Sequence, residues 1–197
     1  GYSLSKLREN LISNKKEEQQ RRLEEDQRTW VTNGQAQFAE ILRRNNDSME
    51  DLSYNIIRYI VDYMKINQAG FFIINEDKSG QKYFELTGFI AFDRRKFADK
   101  KIMWGEGLVG RCALEMESIY ITDIPNNYIS VTSGLGESNP SSLLLVPLKA
   151  NDDVFGVIEM ASFKPFLEHE ISFVEKVAES IALTISSVKT NIQTSEL

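Results

Sequence analysis

Leu4, Leu7 and Leu11 open the chain at the 3–4 spacing that puts side chains on one face of a helix. Asn14 and Glu18 interrupt the stripe, and Leu23, Trp30, Phe38, Ile41 and Leu42 resume it less regularly. This region holds no proline and one glycine, Gly34, so the pattern predicts one long helix that needs a partner to bury its apolar side. Asn45-Asn46-Asp47-Ser48 is a break and a capping signal. Met49, Leu52, Ile56, Ile57, Ile60, Val61 and Met64 then mark a second, amphipathic helix running to about Lys65.

The period then shortens. AGFFIIN (69–75) and KYFELTGFIAF (82–92) read as two strands joined by the Glu76–Gly80 turn, with Gly88 a bulge. Asp93 to Lys101 reads as a charged crossing. Leu108, Val109, Cys112, Ala113 and Met116 share one face of a short helix starting near Gly107. A short strand follows at 119–122, and Ser130 to Ser142 is the most loop-like stretch. Two further strands, 143–149 and 154–162, flank the turn Asn151-Asp152-Asp153.

A last helix begins near Glu168. Its apolar residues Ile171, Val174, Ala178, Ile181, Ile185, Val188 and Ile192 keep strict 3–4 spacing, the repeat of a seam between paired helices. The spacing predicts docking on a second helix, most economically its own copy in a parallel homodimer. A core helix lying on the sheet satisfies the same pattern.

Strands and helices do not alternate as in a doubly wound fold, so the order predicts an α+β domain with one antiparallel sheet flanked by helices. The organisation expected is a signalling helix at 1–46, the sheet domain at 47–189, and the start of a C-terminal linker at 190–197.

Composition narrows the partners. The 197 residues carry a formal charge of −6 with both signs interleaved, which argues against nucleic acid and against a basic membrane-surface patch. No stretch approaches the ~20 apolar residues that span a bilayer. The expected setting is the cytoplasm, as a cytoplasmic protein or the cytoplasmic part of a membrane-anchored sensor. One cysteine, Cys112, rules out an internal disulfide and a multi-thiolate metal site.

Gly105-Glu106-Gly107-Leu108-Val109-Gly110 resembles the G-x-G-[LI]-x-G segment of GAF domains. IYITDIP (119–125), LLVPLK (144–149) and VFGVIEM (154–160) resemble the strands that follow it there, over about Met49 to Lys189. The resemblance implies a GAF/PAS-like sensory module with a ligand pocket between the sheet and the segment 104–142. The N-terminal helix is similar to linkers in bacterial two-component, histidine kinase-type sensors, which implies signal relay to an output module outside this sequence.

Mapped onto this chain, the pocket candidates are Trp104, Arg111, Thr122, Tyr128, Ser130, Thr132 and Ser133, with Glu159 and Ser162 from a strand. Aromatic rings would wall a ligand, hydroxyls orient it and Arg111 pair with an anion. The same rings and hydroxyls also suit a core and a loop that satisfy themselves. No catalytic constellation is expected. Cys112 sits on an apolar helix face as an inert thiol, and His169 has no partner set for metal or acyl chemistry. The glycine run lacks the preceding buried strand that a dinucleotide site requires. Asp123-Ile124-Pro125 matches the phytochrome tripeptide, but no cysteine stands where a bilin would attach. No haem, bilin, nicotinamide or metal signature is found, and the expected ligand is an unidentified small molecule.

Overall fold

The computed structural model describes residues 2–44, 48–91, 94–96, 101–124 and 140–195, with side chains described over 3–44, 48–91, 101–124 and 140–190. Helix α1 (Tyr2–Arg44) is continuous, and its residues 3–26 are all exposed. Only its second half docks, burying Val31, Phe38 and Leu42. Gly34 makes that docking close: a Cβ there would lie 2.5 Å from a Tyr63 ring carbon and 2.7 Å from Phe173. The partner that the apolar stripe called for is the chain's own α2 and the last helix.

Helix α2 (Met49–Met64) starts where the Ser48 Oγ accepts the Asp51 N–H and stops at Lys65, whose φ of 56° is left-handed. Strands β1 (Gln68–Glu76) and β2 (Lys82–Ala91) form a hairpin, with a register shift opposite Phe71/Phe72 where Gly88 was read as a bulge. The turn is held by Asp77 Oδ1, which accepts the N–H groups of Ser79 and Gln81, each at 2.9 Å. The stretch read as a charged crossing contains one short strand, β3 (Arg94–Lys96), and ends on the first residue of another, β4 (Lys101–Met103), both paired with β2. Helix α3 (Gly107–Glu115) and strand β5 (Ile119–Ile121) follow.

Strands β6 (Ser142–Ala150) and β7 (Asp153–Ser162) close on a two-residue turn. Asn151 and Asp152 both have positive φ, 54° and 66°, the geometry that matches strand twist in tight hairpins. All pairings are antiparallel, in the order β3-β2-β1-β7-β6-β5 with β4 also on β2. The sheet divides two apolar layers. One lies under α1, α2 and helix α4 (Glu168–Ser195); the other lies under α3.

Helix α4 corrects one expectation. Val174, Ala178, Ile181, Ile185 and Val188 are at most 2% exposed within the single chain, in one core with Leu144, Val146 and Leu148 of β6 and Phe38 of α1. Ile171 packs at the edge of that core, and the Ile192 side chain lies outside the described residues. The stripe assigned to a second copy is filled by the chain's own sheet and α1. A flat apolar layer accepts the same spacing as a helical partner, because the 3.5 and 3.6 repeats diverge by only ~20° per heptad.

Candidate functional site

The layer under α3 is where the sequence placed a pocket. The glycine run builds its roof. Gly105 and Gly107 take φ of 81° and 64°, and a Cβ on Gly110 would lie 2.6 Å from the Gly105 carbonyl carbon. Only glycine allows that fold-back, which drops α3 onto the sheet. Val109, Cys112 and Ala113 point inward and are buried. The far end of α3 is pinned by Lys149 of β6, whose Nζ donates to the Met116 carbonyl at 2.6 Å.

The floor is read from strand alternation. Ala69, Phe71 and Ile73 face the helical layer, so Gln68, Gly70, Phe72 and Ile74 face α3. On β7, Ile158 and Met160 face the helices, so Val157, Glu159 and Ala161 face α3. The register then gives two adjacent cross-strand rows. Leu145, Glu159, Gly70 and Phe89 form one; Leu143, Ala161, Gln68 and Ala91 form the next. Two polar side chains, Glu159 at 0% exposure and Gln68 at 2%, thus sit diagonally among the apolar side chains that the described residues bring to this layer. Gly70, Ala91 and Ala161 beside them contribute little side-chain bulk.

Phe84 and Trp104 stack at one side of this layer, ring centroids 5.6 Å apart and nearly parallel, with the Lys82 ammonium 5.1 Å from the Trp104 centroid. The Cys112 Sγ donates to the Glu117 carbonyl at 3.3 Å. Burial first, then the negative charge of Glu159 and Glu115, pushes the thiol pKa up to about 12. At neutral pH it is a protonated, apolar group, as its helix face implied.

Of the nine pocket candidates, Glu159 and Trp104 belong to this layer. Arg111 does not: it is exposed on the outer face of α3 and pairs with Glu115 at 3.0 Å. Thr122 is exposed. Ser162 is buried, but its Oγ accepts the Lys164 N–H at the end of β7, which makes it a turn-former. Tyr128, Ser130, Thr132 and Ser133 lie outside the described residues. His169 packs edge-on against Trp30 at 5.2 Å, within an aromatic cluster at the helix joint. Gln68 was missed. The run that follows it is apolar on both faces, so the direction of its side chain is set by the pairing with the neighbouring strands.

Among the described residues no group of three or more His, Cys, Asp or Glu side chains could hold a metal, and no helix is long and apolar enough to cross a membrane.

A curled antiparallel sheet with a glycine-led helix over one face and long helices over the other defines the α+β class of small sensory and regulatory domains. The GAF domain family model matches residues 46–186, and the chain belongs to that family. No curated protein shows significant similarity to it. Among solved structures, it resembles the GAF domain of an Acinetobacter phosphoenolpyruvate-protein phosphotransferase, with TM-score 0.66, 18% identity, and 81% of this chain and 94% of that one covered. It also resembles free methionine-R-sulfoxide reductase from Neisseria meningitidis in complex with its substrate, with TM-score 0.63, 14% identity and coverage of 82% and 91%. The A. aeolicus nlh2 GAF domain in an inactive state matches with TM-score 0.59, 17% identity and coverage of 81% and 98%. At these identities the likeness is one of fold.

Proposed function

We propose that this chain is a regulatory GAF domain that binds a small molecule between α3 and the sheet and passes its occupancy to the terminal helices. The observation that carries this reading is the diagonal pair Gln68 and Glu159, two buried polar groups placed in an apolar layer beside small residues. Apolar walls with a few convergent polar groups are the usual make-up of a ligand site. The relay is short. Glu159 faces the ligand side, while its neighbours Ile158 and Met160 face the core that holds α1, α2 and α4. A ligand that prefers one packing of these helices shifts them by its differential affinity, typically ~1–3 kcal/mol. The long helices suit an output module of the two-component, histidine kinase type, in a bacterial cytoplasmic setting. The buried, protonated Cys112 favours binding over thiol catalysis.

Native mass spectrometry of freshly purified protein tests it. A non-covalent small-molecule adduct should appear and weaken in Glu159→Gln and Gln68→Leu. Absence of any adduct, together with no saturable rise in Tm across a metabolite panel, would overturn the reading.

A second reading, a dimerisation module without ligand, is favoured by Leu4, Leu7 and Leu11, which are 69%, 56% and 62% exposed on α1. In that case the homodimer forms through these leucines, since the α4 stripe is occupied. Sedimentation velocity should show a dimer that Leu7→Ser together with Leu11→Ser dissociates; a monomeric parent would exclude it.

A further inference from the structure

The opposite face of the sheet carries a second cleft. It lies between the start of α2, the open end of the β1–β2 hairpin, the start of β7 and the last described turns of α4, with a volume of about 820 Å³. Its apolar floor is Ile73 and Phe155. Its polar lining includes Asn75, Glu85 and Lys189. Asn75 Nδ2 donates to Glu85 Oε2 at 2.7 Å, and the Lys189 ammonium donates to the Ile74 carbonyl. Both Glu85 and Glu76 act electrostatically on Lys189.

We propose that this cleft binds a small zwitterion of the α-amino-acid class, its carboxylate on Lys189 and its ammonium on Glu85 and Glu76. The lining carries both signs within a site of ligand size, the ammonium groups of Lys82 and Lys189 among the carboxylates of Glu50, Glu76, Glu85 and Asp153, which is the complement of a molecule carrying both charges. Lys189 is well suited to receive the carboxylate. Burial lowers its pKa, the two glutamates only partly offset this, and it donates a hydrogen bond to a neutral carbonyl. A ligand carboxylate supplies the charge-assisted bond in its place. Lys101, opposite Glu85 on β4, sits over the Tyr83 ring at 5.3 Å, so Glu85 also has a cationic neighbour along the sheet. This site is independent of the one under α3, and it touches α4 directly. Occupancy releases the Lys189 tie between α4 and the hairpin.

The test titrates the full chain with individual free amino acids, and with acetate and methylammonium as one-charge controls, following the amide NMR shifts of Asn75 and Glu85. At least one amino acid should give saturable shifts. Lys189→Met and Glu85→Gln should each weaken its binding at least about tenfold, as loss of a charged hydrogen bond does. Glu159→Gln should leave it unchanged, which separates this site from the one under α3. No saturable response to any amino acid overturns the proposal. So does equal binding by acetate or methylammonium alone, or binding that survives in both variants while they remain folded by their NMR spectra.

Discussion

Trp30 and Tyr63 are joined twice: their rings stack with centroids 4.7 Å apart, and the Tyr63 hydroxyl donates to the Trp30 main-chain carbonyl. The contact ties α1 to α2, and Phe173 of α4 closes on Trp30 at 5.0 Å, so three helices meet at one aromatic joint. Tyr59 adds a bond to Gln37 at 3.0 Å. Tyr63→Phe keeps the stack and loses the hydroxyl, which should cost about 1 kcal/mol in urea unfolding. Trp30→Ala empties the joint and should cost about 3 kcal/mol. Equal stability of both variants with the parent would show that the joint does not hold α1.

Ile181 tests the placement of α4. Its side chain is 0% exposed inside one chain, so Ile181→Ala should destabilise the fold by about 2–5 kcal/mol at any protein concentration. A variant that unfolds like the parent but changes oligomeric state would return the stripe to an intersubunit seam.

Cys112 sets an alkaline limit. A thiol whose folded pKa is raised binds its proton more tightly in the folded chain. The stabilising contribution is therefore complete below the unfolded value of 9.0 and disappears as pH climbs towards about 12. Tyr59, raised from 10.0 to about 12 by burial and then by Tyr63, acts with the same sign. The urea midpoint should fall between pH 9 and 12, and less steeply in Cys112→Val. In the same picture the native thiol resists alkylation at pH 8 while the denatured thiol reacts. Rapid alkylation of the native protein would contradict its burial.

Asp152 is a place to gain stability. It holds φ at 66° in the β6–β7 turn, where glycine carries no Cβ penalty. Asp152→Gly converts the turn to Asn-Gly and should stabilise by roughly 0.5–1 kcal/mol, read as a raised Tm. A lowered Tm would mean that the Asp152 side chain matters more than its backbone.

The fold was largely legible because its long elements carry clean periods. The α2 stripe, the hairpin around Asp77 and the β6–β7 pair stand where alternation and turn residues put them. β3 and β4 were not legible: three residues each, charged and short, they are strands because β2 offers an unpaired edge, which is a tertiary fact. The α4 stripe was read onto the wrong partner, since apolar spacing states that a face is buried and not what buries it. Arg111 was misplaced by one helical step. It neighbours Cys112 in sequence, yet 100° of rotation carries it to solvent, where Glu115 one turn on receives it. Gln68 escaped notice because Asn67-Gln68 looks like a turn, and only the neighbouring strands show it lying inside.

The exposed half of α1 gives the domain unusual leverage. From Trp30 to Ser3 the helix extends about 40 Å at its ordinary rise, so a tilt of about 5° at the aromatic joint carries the tip about 3–4 Å. A rearrangement too small to disturb any single core contact thereby becomes a displacement the width of a side chain at whatever adjoins the far end.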